Sequence, residues 1–117
     1  MSWFHIFLKQ PSVAYRQGDV VFARGDFADC MYVVAEGEIE IVIGDAVVDV
    51  VGVEGIFGEM ALISEGLRSG TARARADCRL VEIPQKRFVH LVQETPYFAL
   101  EVMRVMAERL RRRDPSP

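Results

Sequence analysis

The sequence contains few of the side chains that build metal centres or disulfide frameworks. Its 117 residues include two histidines, His5 and His90, and two cysteines, Cys30 and Cys78. These four residues stand far apart and show none of the spacings that ligate zinc, which argues against a metal-dependent enzyme. We predict that each cysteine is a buried thiol, because isolated cysteines stay reduced inside the cell and pack like small apolar side chains.

Excess positive charge and long apolar runs are also missing. Lysine and arginine total 14 against 17 aspartate and glutamate residues, so the net charge of −3 provides no general basic field for nucleic acid. No apolar run reaches the length that spans a membrane, and residues 1–9 lack the cationic start and the cleavage site of a signal peptide. We therefore expect a cytoplasmic chain, although a piece of a membrane protein would have the same composition.

The pattern that is present between residues 13 and 84 is one of short strands. Apolar or alternating runs are separated by glycine turns, and Gly44-Asp45 is a two-residue hairpin signal between two of them. Short strands broken by turns every ~8–12 residues are typical of a β-sandwich or a barrel of jelly-roll type. The predicted strands cover residues 13–15, 20–23, 31–35, 38–43, 46–53, 71–76 and 78–83.

Helical spacing is found at both ends of the chain and once inside the strand region. Thr95 and Pro96 mark a helix start, because threonine caps free amides and proline fits the first helical position. The helix that follows carries apolar residues on two faces, which is more than a helix lying free in water needs. It must cover the barrel, cover a ligand, or meet a second copy of itself. The predicted helices cover residues 59–63, 85–93 and 96–113, and residues 3–8 are predicted to form a short amphipathic helix or turn.

Arginines are concentrated at the C-terminal end of the last predicted helix. Positive charge is favoured there, because the helix dipole places partial negative charge at that end. We interpret the cluster as a solvated terminus rather than as a patch for phosphate or nucleic acid. Its members are Arg109, Arg111, Arg112 and Arg113.

Residues 57–76 contain the side chains that point to a ligand. Gly58 allows a sharp turn or a close backbone approach. A helical turn that begins at Glu59 presents free N–H groups, and anions bind such groups. The planar fork of Arg68 can hold two phosphate oxygens, whereas Glu59 repels phosphate and can accept a hydrogen bond from a sugar hydroxyl. The alternative is a surface ion pair between Glu59 and Arg68, worth ~0–1 kcal/mol.

The run Phe57-Gly58-Glu59-Met60-Ala61-Leu62, followed by Arg68-Ser69-Gly70-Thr71, resembles the phosphate-binding cassette of cyclic nucleotide-binding domains. The resemblance extends over about residues 18–113. It implies a mainly β fold with flanking helices, a β-roll or double-stranded jelly-roll barrel with a short cassette helix and C-terminal helices. It also implies a ligand site formed by Phe57, Gly58, Glu59, Met60, Ala61, Arg68 and Ser69.

In that family the acid at the position of Glu59 binds the ribose 2′-hydroxyl, and the arginine at the position of Arg68 pairs with the cyclic phosphate. Amides near Ala61 and Ser69 complete the phosphate cradle. Gly70 departs from the usual alanine, and we expect a looser loop there. The resemblance therefore implies a regulatory sensor for a cyclic nucleotide, with cAMP favoured over cGMP because the pattern looks most like the bacterial activators.

We expect one domain over residues 1–117, with a β-roll at 12–84, the cassette at 57–71 and C-terminal helices at 85–113. No nucleophile, base and orienting group come together in the sequence, so we predict no catalysis and no cofactor besides the ligand cAMP or cGMP. A homodimer or an effector protein could bind through helix 96–113. We expect neither direct DNA binding nor a membrane segment in this chain. The alternatives are a ligand-free structural module of the same fold and, less favoured, a cupin-like metal enzyme.

Overall fold

Apolar residues at successive positions of one strand build two separate cores on the two faces of a sheet. The computed structural model describes residues 10–64 and 66–113. In its first sheet the strand order is β1-β8-β3-β6, and all the pairings are antiparallel. The strands are β1 (Val13–Tyr15), β3 (Cys30–Glu36), β6 (Ile56–Phe57) and β8 (Cys78–Pro84).

Strand β3 is buried on both faces, because side chains alternate across a sheet. Met31 and Val33 face a core made with the C-terminal helices, whereas Tyr32 and Val34 face a core made with the second sheet. This double burial explains why the strand is a nearly continuous apolar run rather than an alternating one.

The second sheet packs over the first with one face exposed, and its strands alternate accordingly. Its order is β2-β7-β4-β5, again antiparallel. Ala72 and Ala74 are buried between the sheets, whereas Arg73 lies on the outer face and pairs with Glu40 of the neighbouring strand. The strands are β2 (Val20–Phe22), β4 (Ile39–Ile43), β5 (Ala46–Val51) and β7 (Thr71–Ala74). The two sheets form the expected roll of jelly-roll type, so the predicted fold class is confirmed.

Three helices accompany the roll: α1 (Glu59–Ser64), α2 (Gln85–Glu94) and α3 (Pro96–Arg113). Helix α3 buries Phe98 and Val102 in the core that it shares with α2 and β3, and the Phe98 ring meets Phe88 edge-on at 5.8 Å. Thr95 ends α2 by donating its N–H to the carbonyl of Leu91, and its own carbonyl accepts from the N–H of Phe98. One residue therefore joins two helices, which fixes the direction in which α3 leaves the roll.

The predicted elements agree with the observed ones except at a few positions. Strand β5 ends at Val51, earlier than predicted, and β6 was not predicted, because two residues are too short to show a period. The predicted helix or turn at residues 3–8 lies outside the described residues. Cys30 and Cys78 are buried free thiols, as predicted.

No helix within the described parts of the chain is long and apolar enough to cross a membrane. Over residues 10–64 and 66–113, no three His, Cys, Asp or Glu side chains are grouped so that they could hold a metal ion.

Candidate functional site

A cavity of about 580 Å³ opens between α1, the outer sheet and the end of α3. Its size is in the range of small-molecule sites. Six of the seven predicted site residues line it, and Ala61 lies in the adjoining α1, where its side chain is not described. The described lining consists of Phe22, Ile41, Val48, Asp49, Phe57, Gly58, Glu59, Met60, Gly66, Leu67, Arg68, Ser69, Gly70, Arg109 and Arg112.

Gly58 connects β6 to α1 with a backbone that other residues rarely adopt. Its φ angle is +79°, in the region that favours glycine. A Cβ atom at this position would lie 2.8 Å from Nη1 of Arg68. Glycine is therefore required here both for the turn and for the space that the guanidinium occupies.

Arg68 is buried with its guanidinium directed into the roll. The residue is only 5% exposed. Its Nη2 donates to the carbonyl of Cys30 at 2.6 Å and its Nη1 to the carbonyl of Gly58 at 3.0 Å, while Cζ lies 4.0 Å from the centre of the Phe22 ring. Nε has no hydrogen-bond partner among the described residues. A buried cation that lines a cavity and retains an unused donor can bind an anion.

The thiol of Cys30, which lies beside this guanidinium, is kept neutral by its surroundings. Burial raises the pKa of Cys30 above its ordinary value, and the nearby Arg68 lowers it by less. The thiol therefore stays protonated at neutral pH, and it contributes no negative charge against Arg68. The positive charge of Arg68 remains available to a ligand.

Glu59 is 2% exposed and does not pair with Arg68. Both of its carboxylate oxygens accept from Nη1 of Arg109 at 2.8 Å. Nη2 of Arg109 donates to the carbonyl of Ile56 at 2.7 Å, and its Nε donates to Asp49 at 2.9 Å. The ion pair considered from the sequence, Glu59 with Arg68, is thus replaced by a pair between the cassette and α3.

The prediction that the arginine cluster is a solvated terminus is wrong for Arg109, whereas the Arg112 side chain stays 58% exposed while it pairs with Asp49. Arg109 and Arg112 line the cavity, and the side chain of Arg109 is only 21% exposed. Arg111 is exposed, as predicted, and the side chain of Arg113 is not described. The helix dipole explains why cations are tolerated at this end, but the carboxylates of Asp49 and Glu59 determine where they point.

The expectation of a looser loop at Gly70 is also wrong. A Cβ atom there would lie 3.0 Å from the carbonyl oxygen of Val42 and 3.2 Å from the Ile43 side chain. The loop is therefore packed closely against β4, and the glycine permits that approach. Ser69 next to it is exposed on the cavity side.

Sequence reasoning missed Phe22, Asp49 and Arg109 as lining residues. Phe22 belongs to a predicted strand, and nothing in the neighbouring sequence distinguishes it from other apolar strand residues. Asp49 could have been noticed, because it is an acid among the valines of β5, where a half-buried strand rarely carries an unpaired charge.

The geometry can be compared with known proteins. A family model described as the cyclic nucleotide-binding domain matches residues 12–95. The chain belongs to this family. The match includes the roll, the whole cassette and α2, and therefore every described lining residue of the cavity except Arg109 and Arg112.

Relatives with this domain differ in the rest of their architecture. The cyclic AMP receptor protein of Thermus thermophilus is 31% identical over 105 residues, which are 86% of this chain and 49% of that protein. Lysophospholipase NTE1 of Coccidioides immitis is 32% identical over 112 residues, 92% of this chain and 7% of the enzyme. The chain thus spans about half of the first relative and a small part of the second.

Solved structures of the family include forms with two different nucleotides. The cGMP-bound form of the EAL enzyme Bd1971 superposes with a TM-score of 0.69 at 32% identity, over 87% of this chain and 28% of that one. Its cAMP-bound form gives a TM-score of 0.68 at 31% identity, over 86% and 28%. The cyclic nucleotide-binding fold therefore occurs both in a receptor protein and within enzymes.

Proposed function

We propose that this chain is a regulatory sensor that binds a cyclic nucleotide, cAMP in preference to cGMP, and that it catalyses no reaction itself. The observation that carries the proposal is Arg68, a buried arginine that lines a cavity together with Glu59 and whose Nε has no hydrogen-bond partner among the described residues. Membership of the family supports it, as do the cAMP-bound and cGMP-bound forms of a similar protein.

The proposed pose assigns one chemical group of the ligand to each part of the cavity. The cyclic phosphate pairs with Arg68 and with amides near Ala61 and Ser69, because a charge-assisted bond to guanidinium is strong in a shielded site. The ribose 2′-hydroxyl donates to Glu59. The base lies against the apolar lining, to which Phe57, Met60, Ile41 and Val48 contribute.

Arg109 does not exclude this role for Glu59. A carboxylate offers about four acceptor sites, and Nη1 of Arg109 uses one direction toward each oxygen. The remaining lone pairs can accept from a hydroxyl in the cavity. Arg109 also fixes the carboxylate in place, so the acceptor is oriented before the ligand arrives.

One observation favours the second candidate, a ligand-free module of the same fold. Both charged residues of the site already have protein partners, Arg68 the carbonyls of Cys30 and Gly58, and Glu59 the side chain of Arg109. A domain that had lost its ligand would need such internal partners to stabilise buried charge. Direct titration separates the two functions.

Calorimetric titration with cAMP, cGMP and 2′-deoxy-cAMP is the experiment that tests the proposal. We expect all three to bind, cAMP most tightly. Losing a hydrogen bond to a charged group costs about 1.5–3 kcal/mol, so the 2′-deoxy compound should bind about 10- to 150-fold more weakly than cAMP. Adenosine, which has no phosphate, is the control and should not bind measurably. Absence of binding by all three nucleotides would favour the ligand-free module, and equal affinity for cAMP and its deoxy analogue would remove Glu59 from ribose recognition.

We further propose that residues 12–84 bind the nucleotide, through the cassette at 57–71, and that the helices at 85–113 report it. Arg109 supports this division, since it joins α3 to Glu59 and to the carbonyl of Ile56 on β6. A ligand that changes the environment of Glu59 changes the free energy of docking α3, and it can shift the helix only through such a difference.

Amide hydrogen exchange with and without saturating cAMP tests the response of α3. Residues 103–110 should change protection on binding, because Arg109 ties that part of the helix to the site. Residues 20–53 should change little, because the β-roll is held by many non-local strand pairings. Equal protection of residues 103–110 in both states would show that α3 is a fixed part of the core.

The partner that we propose for α3 is a second copy of this chain. The inner face of the helix is buried in the roll, but Leu100, Met103 and Leu110 are 44%, 59% and 66% exposed. Together with Ala107 they follow spacings of three, four and three residues, as in the seam of a two-stranded coiled coil. An effector protein would bind the same surface without making the free chain dimeric.

A further inference from the structure

Asp49 is a nearly buried acid in the middle of an otherwise apolar strand. Its neighbours Val48 and Val50 belong to β5, and its side chain is 12% exposed. Oδ1 accepts from the N–H of Val50 at 2.9 Å and from Arg112 Nη1 at 3.0 Å, and Oδ2 accepts from Arg109 Nε at 2.9 Å. The carboxylate is therefore fixed by one main-chain donor and two guanidinium groups.

Arg109 uses each nitrogen of its guanidinium for a different element. Nε donates to Asp49 on β5, Nη1 to Glu59 at the start of α1, and Nη2 to the carbonyl of Ile56 on β6. Because the fork is planar and rigid, fixing Nε also fixes the direction of both Nη atoms. The contact with Asp49 thus determines how Nη1 meets the Glu59 carboxylate.

Asp49 carries one of the two negative charges in a group of four charged side chains. Two carboxylates, Asp49 and Glu59, face two guanidinium groups, Arg109 and Arg112. If the Asp49 charge is removed, the positive charges of Arg109 and Arg112 repel each other, and Glu59 is the one carboxylate of the four side chains that can still pair with them. Arg112 is mostly exposed and can turn toward solvent, but Arg109 is held between three elements and must adjust in place.

We propose that Asp49 is a positioning residue for ribose recognition, which it supports by holding Arg109 and, through it, the Glu59 carboxylate. The inference rests on the proposed function. Oδ1 of Asp49 accepts from Val50 and Arg112, and Oδ2 accepts from Arg109 and, at 3.5 Å, from Arg112. These protein donors use all of its roughly four acceptor sites, so Asp49 acts through Arg109 and not by touching the sugar. Its effect is therefore specific for the 2′-hydroxyl and leaves phosphate binding at Arg68 unchanged.

The test is the affinity of the full chain for cAMP and for 2′-deoxy-cAMP, measured in Asp49→Asn and in the wild type. Asp49→Asn should weaken cAMP binding about tenfold and 2′-deoxy-cAMP binding less than about twofold, because only the former uses the oriented carboxylate. Asp45→Asn is the matched control: it removes the same charge from the exposed turn of the same hairpin. It should leave both affinities at the wild-type values.

A second variant keeps the inference testable if Asp49→Asn does not fold, which thermal unfolding would show. Arg109→Lys retains a positive charge for Glu59 but has no fork to join it to Asp49, and it should show the same selective loss. If the wild type binds and discriminates, while Asp49→Asn matches it or weakens both nucleotides equally, the inference is overturned and the proposed function stands. If the wild type binds neither nucleotide, both are overturned.

Discussion

Arg68→Ala should reduce the affinity for cAMP by ~30-fold to several thousand-fold. Removing one partner of a buried charge pair costs about 2–5 kcal/mol, which corresponds to this range. The guanidinium is the buried cation of the cavity wall, and its Nε is the donor that still lacks a partner among the described residues. The affinity is measured by calorimetric titration on the purified variant.

Arg68→Ala should also lower the free energy of unfolding. The substitution leaves the carbonyl oxygens of Cys30 and Gly58 without the donors that they have now, at a cost of about 1–3 kcal/mol for each group that stays buried and dry. Arg68→Lys retains the charge and loses the fork, so it should bind with intermediate affinity. Arg24→Ala removes an exposed cation next to Gly25, whose N–H donates to the carbonyl of Arg68, and this variant should bind like the wild type. An Arg68→Ala protein that is folded and binds cAMP normally would exclude Arg68 from the site.

Alanine substitutions at Gly58 and Gly25 test whether the position of the Arg68 guanidinium matters when its charge is unchanged. Gly58→Ala places a methyl group 2.8 Å from Nη1 of Arg68, whereas Gly25 has a similar φ of +91° with no atom within 4 Å of the added Cβ. Both substitutions carry the backbone strain of a left-handed residue, roughly 1–2 kcal/mol. Reduced cAMP affinity in Gly58→Ala but not in Gly25→Ala is the expected result. Equal affinities in the two variants would mean that the position of Arg68 is not critical.

Leu100→Glu should convert a dimer of this chain into a monomer. A charge at a seam position must be buried against its symmetry mate, where two like charges repel, so the dissociation constant should rise by at least about 100-fold. Sedimentation velocity over a range of protein concentrations measures the change. One chain has a mass of 13.2 kDa, and the expected wild-type species has twice that mass.

Val89→Glu is the matched control for the seam. Val89 is 50% exposed, close to the 44% of Leu100, but it lies on α2. Its substitution should leave the dimer intact, which would show that an added charge on a helix is not enough to dissociate it. A wild-type chain that is monomeric at all concentrations would contradict the dimer and leave the exposed stripe of α3 to an effector protein.

Much of the fold could be predicted because it is encoded locally. Alternation and glycine turns located the strands of the roll, the Gly44-Asp45 turn joins β4 to β5 as predicted, and Thr95-Pro96 marked the start of α3. Strand β6 could not be found this way. It exists because Ile56 and Phe57 pair with β3, far away in the sequence, and two residues carry no pattern of their own.

The candidate site could be predicted where its residues lie close together in the sequence. The sequence by itself determined that Gly58, Glu59, Arg68 and Ser69 lie together, because they belong to one short segment around a single helical turn. It also determined the chemistry that they offer, a guanidinium for phosphate and a carboxylate for sugar.

Only the tertiary structure decided how those charges are paired. Arg109 is 50 residues from Glu59 and 60 from Asp49, and which acid it meets depends on where α3 docks on the roll. The burial of Phe98 and Val102 in the core determines where α3 docks. Nothing in the sequence pattern connects these two apolar residues with the charged residues of the site. A local pattern could place the arginines at a helix end, but packing at the other end of the helix directed two of them into the site.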